Sequence, residues 1–296
     1  MDTMLRRNDS AHLARKVLGL FKLRIGFVIM ITALAGFAVT PGAGPGGIPL
    51  AVLALAVLIS SASAGAFNQY IEYDTDRLML RTRGRAFATG ELRHTPAWLV
   101  LIVILLAGSV AAAWYATNPF AALYVFLGAF FYAVVYTVWL KRRTWLNIVV
   151  GGLAGSFSVL AGAAAVNPEI SAVPLLLALV LFLWTPPHFW SLAIANSSDY
   201  AIAGVPMLPV VVGNARAAQI VFASALALVG VSLLPVFFGA GLIYFAGALA
   251  GGVHFIRKAW QLARAPSRKT AMSSFHASLI QLSLLLLAAM SDALLF

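Results

Sequence analysis

Asn68, Glu72 and Asp76 stand four residues apart in the stretch "NQYIEYDTDRLMLRTRGR" at 68–85. If the apolar run before them continues as a helix, side chains at this spacing share one face. A carboxamide oxygen and two carboxylates in register form a ligand set for a hard divalent cation. Mg²⁺ is usually held by one or two carboxylates together with the oxygens of a bound phosphate. Asp74 falls roughly opposite and is expected off that face. Arg77, Arg81 and Arg85 follow, also at four-residue spacing, and arginine suits bidentate recognition of phosphate. The competing reading is a solvated loop whose acids pair with its own arginines, an arrangement that is common and worth little. The abrupt start of acids at the end of an apolar run, at fixed spacing, favours a site for a metal-bridged phosphate.

A second polar stretch lies about 120 residues on, in "LFLWTPPHFWSLAIANSSDYAIAGVPMLPV". Asp199 is its one acid and follows its apolar run as the first motif follows its own. Four spans separate the two, which would let both acidic loops close over one cavity; taken alone, Asp199 also reads as a helix cap or turn residue. Pro186 and Pro187 are expected to interrupt the helix here, and interrupted backbone at membrane depth is tolerated where it lines a cavity. Of the five histidines (12, 94, 188, 254 and 276), only His188 sits between a proline pair and an aromatic pair. Read alone, an imidazole there is a buried, hydrogen-bonded packing residue.

The elements that must position these groups are transmembrane. Hydrophobic residues make up 62% of 296 and charged residues 10%, with a mean hydropathy of +0.94; soluble domains average about 25% charged residues. Absence of cysteine excludes disulfides and thiolate metal sites. A spanning helix needs about 20 mostly apolar residues. Nine segments qualify, roughly 21–40, 48–67, 97–116, 119–139, 146–166, 172–194, 216–236, 239–256 and 274–296. The first is read as a retained span rather than a signal peptide, with Lys22 and Arg24 snorkelling at its start. One domain is expected over 1–296, with 1–20 a cytoplasmic N-terminal segment.

Charge tests that count. Six Lys or Arg lie at or before the start of the first span, five between the second and third, three after the fourth, one before the seventh and five between the eighth and ninth, which accounts for all 20. Basic residues mark cytoplasmic loops, so the N-terminus and both acidic motifs are expected at the cytoplasmic surface and the C-terminus outside. The net charge of +11 is read in the same way, and no nucleic-acid partner is expected.

With these motifs in place, the chain resembles the UbiA-type intramembrane prenyltransferases. Their first motif, N-D-x-x-D-x-x-x-D, stands here as Asn68-Gln69-x-x-Glu72-x-x-x-Asp76. "MLRTRGR", "LKRRTWLNIVVGGLAG", "WTPPHFW" and "DYAIAGVPMLPVV" are similar to the branch that farnesylates protoheme IX, in the expected order over about 20–215. The chain departs from that branch at Ala86 and Phe87, at Ser158 and Ala163, and at Asn196, Ser197 and Ser198. The resemblance implies an all-α bundle of nine transmembrane helices around a central cavity, in the cytoplasmic (inner) membrane. It implies a Mg²⁺-bridged farnesyl diphosphate on Asn68, Glu72, Asp76 and Asp199, with Arg81, Arg85, Lys141, Arg142, His188 and Tyr200 binding substrate. It implies heme B as acceptor, whose iron His188 could ligate or orient, heme O as product for terminal oxidases, and heme A synthase or oxidase assembly factors as further partners. The alternative within the family is an aromatic or quinone-precursor acceptor. A transporter would carry ionisable groups near mid-membrane, whereas nearly all charge here sits at one set of helix ends; a non-catalytic heme-binding relative would not need the intact acidic register.

Overall fold

The computed structural model describes residues 15–295. Its long helices are α1 (Leu23–Ala38), α2 (Gly47–Ile71), α3 (Pro96–Ala116), α4 (Pro119–Leu140), α5 (Asn147–Val166), α6 (Ala172–Ala195), α7 (Asn214–Phe238), α8 (Leu242–Arg264) and α9 (Arg268–Leu295). Local chemistry sets several ends. Pro96 and Pro119 open α3 and α4, where a missing N–H costs nothing. The Asn118 Oδ1 accepts from Ala121 N at 2.9 Å to cap α4, while its Nδ2 donates to Ala164 O at 2.7 Å and ties α4 to α5.

Seven of these helices are long and apolar enough to cross a membrane; α1 is apolar but only 16 residues long. α8 is long, but its last turns carry His254, Arg257, Lys258 and Arg264. Every sequence-expected span therefore corresponds to a helix, while seven meet the length and hydropathy expected of a crossing. The expected interruption at Pro186 and Pro187 is not found: α6 is continuous through both. Nearby hydroxyls bond back into the same helix, Thr185 Oγ1 donating to Leu181 O and Ser191 Oγ to Pro187 O, and prolines are tolerated within membrane helices.

Each helix packs on the next, and α9 returns to α1, so the bundle closes on itself. Extensive α1–α5 and α6–α9 contacts cross the ring. The α1–α5 crossing is close because both helices present glycine: a Cβ on Gly36 would fall on the Val159 carbonyl, and one on Gly162 on the Ala33 carbonyl. Beside them Thr32 and Ser158 share a buried hydroxyl–hydroxyl bond, and Ser158 also donates to Gly155 O. One of the sequence's departures, Ser158, thus lies in this contact, and Ala163 next to Gly162 is buried as well. At the opposite end from the acidic motifs, Asp292 of α9 accepts from the backbone N–H groups of Gly241, Ile243 and Tyr244 and caps α8 from outside it.

Gly162→Val should destabilise the bundle by about 1–3 kcal/mol, the usual cost of overpacking. Gly108→Val, at a position with open space around it, should change little. Thermal unfolding in detergent distinguishes the two.

Candidate active site

The site forms where the connections after α2, α4 and α6 converge. α2 ends at Ile71, and a short helix, Tyr73–Leu78, continues after a break at Glu72. The four-residue register survives the break, because Glu72 N donates to Asn68 O and Asp76 N to Glu72 O, at 3.1 and 2.8 Å. Asn68, Glu72 and Asp76 are consequently all buried, at 2–3% exposure. Asp74 points away, with 66% of its side chain exposed, and lies 3.9 Å from Arg77.

Each buried acceptor faces a cation. Lys141 Nζ lies 2.5 and 2.6 Å from the two Glu72 oxygens. Arg85 donates to both oxygens of Asp76 at 2.9 and 2.8 Å. Lys22 Nζ donates to Asn68 Oδ1 at 2.7 Å and reaches the Tyr132 hydroxyl at 3.3 Å. Arg142 bonds Thr75. Asp199, buried at 7% exposure, accepts from the backbone N–H of Arg81 at 3.4 Å, so the two acidic loops touch. Tyr200 beside it is buried in the main apolar core.

Several expectations need correction. Lys22 does not snorkel outward. It occupies a left-handed turn, with φ of 47°, and runs inward past Gly65, where a side chain would contact its methylenes. The four-residue spacing of Arg77, Arg81 and Arg85 is not one face, because helix ends at Leu78. Only Arg85 reaches a carboxylate of the cluster with its side chain; Arg81 does so through its backbone, and Arg77 bonds the Ala88 carbonyl and stacks over Tyr73. His188 has the buried, hydrogen-bonded surroundings of its packing reading. Its ring lies stacked between Trp184 and Phe275, at 4.1 and 4.4 Å, with Nδ1 2.7 Å from Ser278 Oγ. Trp184 Nε1 donates to the Ser278 carbonyl as well, so this side of α6 is a seam against α9. Of the remaining departures, Ala86 and Phe87 are buried beside Tyr70, and Asn196 Nδ2 donates to Leu192 O at the end of α6.

Sequence reasoning missed Thr75, Thr137 and the inward course of Lys22. The structure also sets the Tyr132 and Tyr136 rings parallel, 5.6 Å apart, with Lys22 and Lys141 near their faces. A groove of about 490 Å³ lined by Val103, Val110, Trp114, Tyr115 and Phe126 lies elsewhere, along α3 and α4, and offers no group suited to an anion.

Among the described residues no three acids or histidines come close enough to hold a metal by themselves. The oxygens of Asn68, Glu72, Asp76 and Asp199 nevertheless suit a partial shell that phosphate oxygens would complete, and the surrounding Lys and Arg side chains suit the phosphate.

A family model described as the UbiA prenyltransferase family matches residues 29–285. The chain belongs to the UbiA prenyltransferase family. A relative from Paramagnetospirillum magneticum named protoheme IX farnesyltransferase 2 is 57% identical over 93% of this chain and 96% of its own length. Protoheme IX farnesyltransferase 1 of the same organism is 48% identical over 94% and 98%, and that of Acidiphilium cryptum is 40% identical over 89% and 87%. Among solved structures, one of digeranylgeranylglyceryl phosphate synthase superposes with a TM-score of 0.77 at 17% identity, covering 96% of this chain and 99% of that one. A UbiA homolog from Archaeoglobus fulgidus, bound to DMAPP and Mg²⁺, gives 0.66 at 17% identity over 90% and 98%. The UbiA fold, a multi-span membrane bundle, is therefore that of this chain.

Lys141→Met leaves Glu72 buried without its partner, and loss of one member of a buried pair costs about 3–5 kcal/mol. Adding Glu72→Gln should recover most of that loss, as read by thermal unfolding of single and double variants.

Proposed function

We infer that this chain transfers the farnesyl group of farnesyl diphosphate to a vinyl group of protoheme IX (heme B), giving heme O. The relatives carry that activity in their names at up to 57% identity over 275 residues. The observation in the molecule that supports it is the buried Asn68–Glu72–Asp76 register meeting the Asp199 loop, ringed by Lys22, Arg85, Lys141 and Arg142.

Breaking the C1–O bond of the prenyl donor leaves the electron pair on diphosphate, and charge developing there is what a preorganised site stabilises. Arg85 and Lys141 are placed to take diphosphate oxygens, with Arg142 and the backbone of Arg81 at the rim. Mg²⁺ bound through Asn68, Glu72, Asp76 and Asp199 would neutralise further charge. The allylic cation forms a C–C bond with the vinyl π pair; water then adds to the resulting cation beside the porphyrin and loses a proton, giving the hydroxyethylfarnesyl group. Tyr132 and Tyr136 present aromatic faces suited to a cation, and Tyr200 lies on the side of the Asp199 loop. His188 acts from behind, fastening α6 to α9, and so shapes the acceptor side through packing.

The reading places nine crossings in the cytoplasmic (inner) membrane, with the basic loops and the site on the cytoplasmic side and a cavity for the substrates inside the bundle. It includes handover of product to heme A synthase or oxidase assembly factors.

Purified protein incubated with heme B, farnesyl diphosphate and Mg²⁺ should yield a heme heavier by farnesyl plus hydroxyl, by mass spectrometry. Prenylation of a phenolic acceptor with heme left unmodified would favour the alternative. In the same assay Asp76→Asn should lose roughly 100-fold in rate, in line with removal of a group that stabilises developing charge, and Asp74→Asn should stay within about twofold, as an exposed pair is worth little. A reporter fused after Phe296 should be active outside the cytoplasm only.

A further inference from the structure

The second half of α4 is wound wider than an α-helix. Over Phe131–Leu140 its backbone follows i→i−5 bonding, ending with Lys141 N to Tyr136 O at 2.9 Å. Wide turns of this kind are rare and concentrate at functional sites. Here the winding has a local effect. In an ordinary helix a threonine hydroxyl bonds back to the carbonyl four residues earlier or one turn below. Thr137 Oγ1 instead donates to Tyr132 O, five residues earlier, at 2.8 Å.

A hydroxyl has one proton. With that proton committed to Tyr132 O, Thr137 can only accept from a further partner. The partner is Asn68, whose Nδ2 donates to Thr137 Oγ1 at 3.1 Å. On the other side of the same carboxamide stands Lys22 Nζ, 2.7 Å from Oδ1, and an ammonium can only donate. Two independent neighbours therefore impose one orientation, with NH₂ toward α4 and oxygen toward the charged cluster. Asn68 and Thr137 are both buried, at 2% and 4% exposure, so water does not compete for these bonds.

We propose that Thr137 is a positioning residue that holds the Asn68 carboxamide with its oxygen, not its NH₂, turned to the cluster, so that Asn68 can ligate a divalent cation there. A carboxamide turned the other way would present two N–H donors to the cation. The wide winding of α4 is what brings the Tyr132 carbonyl under the Thr137 hydroxyl and fixes the direction of the whole chain of bonds. The inference rests on the metal–diphosphate part of the proposed function and not on the identity of the acceptor.

The test uses full-length protein in detergent, with inorganic pyrophosphate as the anion and thermal unfolding as the readout. Measured are the unfolding temperature without Mg²⁺ and the Mg²⁺ concentration that gives half of the stabilisation. Thr137→Val keeps the shape and removes the acceptor; it should raise that concentration roughly tenfold, about the worth of one hydrogen bond to a buried group. Thr137→Ser should remain within about twofold of the wild type, and Thr137→Ala should behave as Thr137→Val if the latter does not fold. The deciding comparison is in an Asn68→Asp background, where both side-chain atoms are oxygens and orientation no longer matters. There Thr137→Val should shift the requirement by less than about twofold, a non-additivity that a double-mutant cycle exposes. An equal shift in both backgrounds, or none in either, would overturn the orienting role. A wild type that Mg²⁺ and pyrophosphate together do not stabilise would overturn the metal reading and this inference with it, whichever acceptor the enzyme uses.

Discussion

Two carboxylates held inside the end of an apolar bundle are the constraint on which the rest depends. Glu72 and Asp76 are almost wholly removed from water, and isolated buried charge is far too costly to persist unpaired. Each is answered from a different segment, Glu72 by Lys141 after α4 and Asp76 by Arg85 before α3. The ion pairs thus set where those connections must run, and the helices below are arranged accordingly. Replacement by apolar residues can leave such a pair's net stability unchanged or improved, so stability alone does not account for keeping it. The proposed binding of a metal–diphosphate would, because each group in the cluster could then exchange its present partner for a ligand oxygen or a cation without leaving a charge stranded.

The rest of the bundle tolerates this polar end by closing tightly elsewhere. Glycines at the α1–α5 crossing let two backbones meet, which in a membrane is the main way to gain packing energy between helices. On the far side of the site, the seam of Ser191, Ser274, His188 and Ser278 joins α6 to α9 through side-chain bonds. One helix pair is held by closeness and the other by polarity.

Much of this was legible in the sequence, for identifiable reasons. The register of Asn68, Glu72 and Asp76 is short-range, so spacing alone predicted a shared face even though the helix breaks at Glu72. Asp74 was correctly read as pointing away. What failed was whatever depended on a turn or on partners far along the chain. The even spacing of three arginines carried no meaning once the backbone left the helix after Leu78. Lys22 looks like any basic residue at a span's start, and only a left-handed turn sends it inward. The proline pair of α6 ordinarily signals interruption, but here the helix runs on through both, packed against α5, α7 and α9. The partners of His188 were not legible either, because α9 supplies them about ninety residues later.

In the proposed nine-crossing arrangement, the cap that Asp292 places on α8 bears on how the chain enters the membrane. The first-turn N–H groups of α8 have their acceptor on α9, a helix synthesised afterwards. Until α9 arrives, those donors at the membrane boundary have only lipid headgroups or water to satisfy them, and an unpaired backbone group facing hydrocarbon costs several kcal/mol. α8 is also among the less apolar helices, with Arg257, Lys258 and Arg264 toward its other end. In that arrangement such a helix would partition into the bilayer more readily as one arm of a hairpin than alone, so that α8 and α9 would insert as a pair, joined by a carboxylate at one end and a short basic turn at the other.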